Sequence, residues 1–313
     1  MGSGLRYAVI GTGALGGFYG ARLQRAGAEV HYLLRSDYDH VKANGLVVES
    51  PEGDFTLPDV YAYADAKKMP PCDVAIVTLK TTQNHLLPSV LPPLTETGVV
   101  LVLQNGLGVE AQAAELVGSD RVLGGLCFLC SNKVGPGHIR HLDYKKIAMG
   151  EYRADQSAGG VTARMEAIAQ DFEQADIPIE RAEDLVLARW KKLVWNIPFN
   201  GLSVILDATT DAMMGDDNAR TLATTLMKEV QQGANSQGRT IPEDFIQLML
   251  DHTAAMTPYR TSMKIDYDEQ RPLEVEAMYG APLRAAQAAG VALPHIETLY
   301  HQLKFLDQRN RRE

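Results

Sequence analysis

Short apolar runs alternate with amphipathic stretches through the first half of the chain, and the alternation stops near residue 180. Leu5–Ile10 reads as a strand, followed by a Gly-rich turn and a helical stretch over Ala14–Ala26. Glu29–Leu34 reads as a second strand, and Asn44–Pro58 as a hairpin around Pro51-Glu52-Gly53-Asp54. Asp73–Leu79 and Val99–Leu103 are continuous apolar runs, the pattern of strands buried on both faces. Arg121–Cys130 predicts another strand, and His138–Met149 an antiparallel pairing. Strands alternating with helices predict an α/β domain built on a mainly parallel, doubly wound sheet. After Ile179–Leu185 the strand signal all but vanishes. Leu187–Leu206, Asn218–Gln237, Pro242–Met256, Glu274–Ala289 and Pro294–Arg309 all carry helical periodicity. The expectation is therefore two domains, residues 1–181 and an all-helical domain over residues 182–313.

Composition agrees with this size. At roughly 100–200 residues per domain, 313 residues suit two domains. The net charge of −9 argues against a general nucleic-acid binder, which needs a basic surface to displace counterions. The acid excess is uneven. Residues 1–150 hold 13 basic and 14 acidic side chains, residues 151–313 hold 17 and 25. No apolar run approaches the ~18 residues of a membrane helix. Met1-Gly2-Ser3-Gly4 lacks the features of a signal peptide and resembles a remnant of cloning. Three cysteines, Cys72, Cys127 and Cys130, do not make a disulfide framework, so a cytoplasmic location is expected. Cys127-Phe128-Leu129-Cys130 has no second pair to complete a zinc site, and no metal is expected. It reads as two buried strand thiols. His138, in a Gly-Pro-Gly-His loop, receives no catalytic role.

Gly11-Thr12-Gly13-Ala14-Leu15-Gly16 matches G-x-G-x-x-G between a strand and a helix. The first glycine permits a tight turn, the second lets a pyrophosphate approach the backbone, and the third lets helix and strand pack closely. The structural context lifts the motif above an ordinary Gly-rich turn. An NAD-binding domain would place an acid at the end of the second strand. Here the chain reads Leu33-Leu34-Arg35-Ser36. Arg35 can pair with a 2′-phosphate through its planar fork, which favours NADP(H) over NAD(H).

Two further loops follow strands at the carboxyl edge of the sheet, where ligands bind in this architecture. One is Lys80-Thr81-Thr82-Gln83, the other Gln104-Asn105-Gly106-Leu107-Gly108. By spacing alone the first is as readily a surface lysine, and the second a plain turn, as a ligand-binding loop. In the helical half, Lys192, Asn196 and Asn200 fall at i, i+4 and i+8 and share one helix face. By spacing alone a solvated stripe is the slightly favoured reading of that line over a binding cavity. Pro198 can kink the same helix. Ser262 could donate a hydrogen bond and Glu274 accept one, although an acid after Pro272 also suits the first turn of a helix.

Taken together, the set resembles the ketopantoate reductase (2-dehydropantoate 2-reductase) family over nearly the whole chain. The matching pieces are Gly11–Gly16, Arg35, Val77-Thr78-Leu79-Lys80, Gln104–Gly108, Gly135-Pro136-Gly137-His138, the Trp190–Asn200 helix, and Thr261-Ser262-Met263 with Glu274. The resemblance implies a Rossmann-type domain followed by a helical substrate and dimerisation domain. It implies NADPH-dependent reduction of ketopantoate to pantoate on the way to pantothenate. Lys192 would be the general acid. Asn105, Asn196, Asn200, Ser262 and Glu274 would hold the substrate. Gly11, Thr12, Gly13, Ala14, Leu15, Gly16, Arg35, Lys80 and Asn105 would hold the cofactor. The partner is a small 2-keto acid, with neither nucleic acid nor membrane, and a homodimer is possible for such a domain.

Two positions depart from the family pattern. Glu274-Val275-Glu276-Ala277-Met278-Tyr279-Gly280 carries Tyr279 where many members have an asparagine. Pro198 precedes Asn200, and Gly201 follows it, in place of the usual Asn-Pro pair. Both bear on which keto acid is taken. The alternatives are a sister reductase for another keto acid and a non-catalytic NADP(H)-binding sensor.

Overall fold

The computed structural model describes residues 3–311. Met1 and Gly2 of the leading tetrapeptide lie outside the described residues. The chain divides into two compact units. The first comprises residues 1–104 and 109–185, the second residues 105–108 and 186–313.

In the first unit, strands β1 (Arg6–Ile10), β2 (Glu29–Leu33), β3 (Leu46–Glu49), β4 (Phe55–Leu57), β5 (Tyr61–Tyr63), β6 (Cys72–Val77), β7 (Leu94–Val102), β8 (Val122–Gly135) and β9 (His138–Glu151) form one sheet in the order β4-β3-β9-β8-β7-β6-β1-β2-β5. β10 (Ile179–Ala182) adds parallel to β9. Around the sheet lie α1 (Ala14–Arg25), α2 (Tyr38–Asn44), α3 (Leu87–Val90), α4 (Ala111–Val117) and α5 (Ala163–Gln174). The run from β8 to β5 is parallel, as expected. The β3–β4 hairpin and the β8–β9 antiparallel pair also form as read from the sequence.

β1 shows why its residues make a strand buried on both faces. Tyr7 and Val9 enter one core with Phe18, Tyr32 and Phe172, while Ala8 and Ile10 enter a second with Ala66, Met69 and Cys72. The period-2 alternation of a strand sends successive side chains to opposite faces. Cys127 and Cys130 are buried thiols on β8 and form no disulfide. Strand order reverses between β1 and β6, which makes that gap the topological switch point.

The second unit contains α6 (Leu185–Ile205, beginning on the last residue of the first), α7 (Thr210–Gly215), α8 (Asp217–Ser236), α9 (Glu243–Ala255), α10 (Ser262–Asp268), a π-turn (Glu276–Gly280), α11 (Ala281–Ala288) and α12 (Pro294–Asn310). Its core centres on Trp190, Ile197, Phe199, Met227, Val230, Met278, Tyr279 and Leu303, all at most 1% exposed. The periodic pattern foreshadows the long helices to within a few residues. The short α7 and α10 have no such signal, because six or seven residues barely span two turns. Pro198 lies inside α6 without ending it.

Candidate active site

The first group of candidate residues lies at the switch point. Gly11 adopts φ +101°, a conformation that favours glycine, and a Cβ there would meet the Leu79 amide nitrogen at 2.8 Å. A Cβ on Gly16 would collide with the Thr78 hydroxyl and stand 2.9 Å from a Val9 methyl, so helix and strand pack closely only with glycine there. At Gly13 a Cβ would meet nothing within 4 Å, so the backbone faces open space. Helix α1 starts there with no side-chain cap and no acid in its first turn. Its N-terminal amides and positive dipole end are thus suited to phosphate. The Thr12 hydroxyl donates to the Leu33 carbonyl at 3.1 Å, tying the turn to the end of β2. The Thr78 hydroxyl donates to the Gly11 carbonyl at 2.6 Å, tying it to the end of β6. This open cradle fits a dinucleotide pyrophosphate. Ala14 and Leu15 are the first residues of α1.

Arg35 and Ser36 are exposed just beyond β2. Lys80 is half-buried and precedes a 3₁₀ turn over Thr81–Leu86. The Gln104 amide donates to the Leu79 carbonyl at 2.7 Å and to Asn84 Oδ1 at 2.6 Å, bracing the segment that carries Lys80.

The second group lies within the helical unit, and Asn105 belongs to it. Gly106 adopts φ +111° and lies so close to Ala277 that a Cβ would meet the Ala277 carbonyl oxygen at 2.6 Å. The Leu107 amide donates to that carbonyl at 3.0 Å. The loop of residues 105–108 is thereby fastened to the π-turn, and Asn105 Oδ1 comes within 3.5 Å of Asn196 Nδ2.

Asn196 and Asn200 are 3% and 2% exposed, so they do not form a solvated stripe; Lys192, on the same face of α6, is half-buried. Asn200 Oδ1 accepts from the Met263 amide at 3.3 Å and lies 3.5 Å from the Ser262 hydroxyl. The turn into α10 is held by Thr261, whose buried hydroxyl accepts from the Lys264 amide and contacts the Ser203 hydroxyl at 2.7 Å. Ser203 in turn donates to the Asn200 carbonyl at 2.9 Å. Glu274 is only 4% exposed, just before the π-turn, and is therefore not a solvated first-turn acid. A buried carboxylate is costly unless it is hydrogen-bonded or paired.

Sequence reasoning missed Ser203 and gave Thr261 and Tyr279 no supporting role. Ser203 and Thr261 hold Ser262 in place, and Tyr279 donates from its buried hydroxyl to the Ile197 carbonyl at 3.0 Å. Tyr279 was visible only as a departure. The π-turn supplies its placement, and such turns are frequent at functional sites.

A doubly wound nucleotide-binding unit and a helical unit with a buried amide, hydroxyl and carboxylate set define a class of cofactor-dependent oxidoreductase. The chain belongs to the ketopantoate reductase PanE/ApbA family: its N-terminal profile matches residues 7–154 and its C-terminal profile residues 184–307. The chain is 64% identical over 307 residues to a 2-dehydropantoate 2-reductase of Nostoc sp., covering 98% of this chain and 96% of that one. Its structure resembles the crystal structure of 2-dehydropantoate 2-reductase from Geobacter metallireducens with a TM-score of 0.92 at 42% identity, covering 97% and 99% of the two chains. The corresponding enzyme from Methylococcus capsulatus aligns with a TM-score of 0.87 at 32% identity, covering 98% of each chain.

Proposed function

We propose that this chain reduces 2-dehydropantoate to pantoate with NADPH. The observation that carries the reading is the set Lys192, Asn196, Asn200, Ser262 and Glu274 within one unit, with Asn196 and Asn200 tied to Asn105 and Ser262. Bound NADPH supplies a hydride to the keto carbon. Gly11–Gly16 hold its pyrophosphate, Arg35 its 2′-phosphate, and Lys80 a further anionic or polar group. Asn196, Asn200 and Ser262 orient the keto acid, and Glu274 accepts from its hydroxyl. Negative charge grows on the carbonyl oxygen during reduction. The Lys192 ammonium stabilises that charge and donates its proton to the same oxygen.

The chain's location is the cytoplasm, in keeping with three buried thiols outside any disulfide. Among the described residues no helix is long and apolar enough to cross a membrane. Pairing of two copies through the helical unit is supported by exposed Leu222, Leu248 and Phe305, and light scattering measures it. The test of function is NADPH oxidation followed at 340 nm against a panel of 2-keto acids. Preference for ketopantoate supports the reading, preference for another acid makes the protein a sister reductase, and no turnover on any makes it a sensor.

A further inference from the structure

Two residues past Arg35 the chain does carry an acid, Asp37, at the N-cap of α2. Its side chain is 7% exposed. It caps none of that helix's amides, the usual role of Asp at this position. Its oxygens go elsewhere. Lys133 Nζ contacts Oδ1 at 2.7 Å and Oδ2 at 2.6 Å. The Gly137 amide donates to Oδ2 at 2.9 Å, and the Ser36 hydroxyl to Oδ1 at 3.0 Å. Lys133 and Gly137 belong to the β8–β9 hairpin, whose tip seats on α2. Gly137 has φ +62°, and a Cβ there would stand 2.8 Å from a Val41 methyl and 3.0 Å from the Gly45 carbonyl oxygen.

We propose that Lys133 is a specificity-determining positioning residue, which neutralises Asp37 and anchors the Arg35–Ser36 turn so that this turn accepts a 2′-phosphate. The proposal rests on the reading of Arg35 given above. Without the Lys133 ammonium, the Asp37 carboxylate repels a phosphate dianion held by its neighbour. Burial pushes the Asp37 carboxyl up, but hydrogen bonds from Lys133, Gly137 and Ser36 hold it below the usual carboxylate range, so it is charged at neutral pH. Its charge is therefore balanced by a cation, Lys133, rather than by protonation.

The test is calorimetric binding of 2′,5′-ADP and of ADP to the full chain, with no turnover required. Lys133→Met is expected to weaken 2′,5′-ADP about tenfold and ADP less than about twofold, the scale of one partly screened charge. Lys133→Arg keeps the parental preference. Asp37→Asn combined with Lys133→Met regains most of it, because the repelling charge is gone. Equal weakening of both ligands, or an unchanged preference in Lys133→Met, overturns the proposal while leaving the Arg35 site standing. Absence of any preference for 2′,5′-ADP in the parent protein overturns both.

Discussion

Gly201 and Tyr279 are fitted to each other across the helical core. A Cβ on Gly201 would stand 2.8 Å from the Tyr279 hydroxyl oxygen and 2.6 Å from a Leu299 methyl. The hydroxyl uses that space to donate to Ile197 at 3.0 Å. The two departures from the family pattern are therefore one packing arrangement. Gly201→Ala gains helix propensity but overpacks, and a net loss of about 1–3 kcal/mol is expected in urea unfolding. In a Tyr279→Phe background the same change is expected to cost less, since the hydroxyl is absent. Additive costs in the double-mutant cycle would dissociate the pair.

Lys192→Ala is expected to lower kcat by about 10²–10⁴, the range for loss of a positioned acid. NADPH affinity, measured by fluorescence titration, should stay within about twofold if the lysine serves the transition state. Normal turnover in this variant would remove Lys192 from the proton step.

Asn200 and Asn196 should behave differently. Asn200→Ala leaves the buried Met263 amide without its acceptor and is expected to cost about 1–3 kcal/mol of stability while raising KM for the keto acid. Asn196→Ala breaks only a 3.5 Å contact to Asn105 and should raise KM with little loss of Tm. Equal losses of Tm would contradict the assignment of Asn200 as the tie between α6 and α10.

Arg35→Asp should reverse the coenzyme preference. It removes the pairing fork and adds a charge that repels the 2′-phosphate, so kcat/KM for NADPH should fall by at least about a hundredfold while that for NADH changes little. Similar kcat/KM values for the two coenzymes in the parent would place the 2′-phosphate elsewhere.

Glu276, the first residue of the π-turn, supplies a pH effect. Its carboxyl is held at about 2, below the ordinary 4.5. Burial pushes it up, but hydrogen bonds from Lys304, Tyr300 and Arg284 outweigh that. A depressed carboxyl stabilises the fold at neutral pH and loses that contribution as pH falls from about 4.5 through about 2. Glu276→Gln should therefore cost stability at pH 7, by no more than about 1 kcal/mol for so exposed a cluster. Acid titration of Tm should show the difference from the parent closing across that window.

The alternation of strands and helices, the Gly-rich turn and the long helices were legible in the sequence, because each is written in local periodicity. Candidate residues were legible as spacings: Lys192, Asn196 and Asn200 share a face whatever surrounds them. What covers a face depends on segments distant in the chain, and only the tertiary structure decided it. Asn200 turns from a candidate stripe into a buried anchor because Met263 arrives from 63 residues away. Asn105 leaves the sheet unit because Ala277 captures its loop. Asp37 faces Lys133 and Gly137, on a hairpin 96 to 100 residues further on. Spacing states which way a side chain points, while burial and charge balance arise only when remote chain segments close over it.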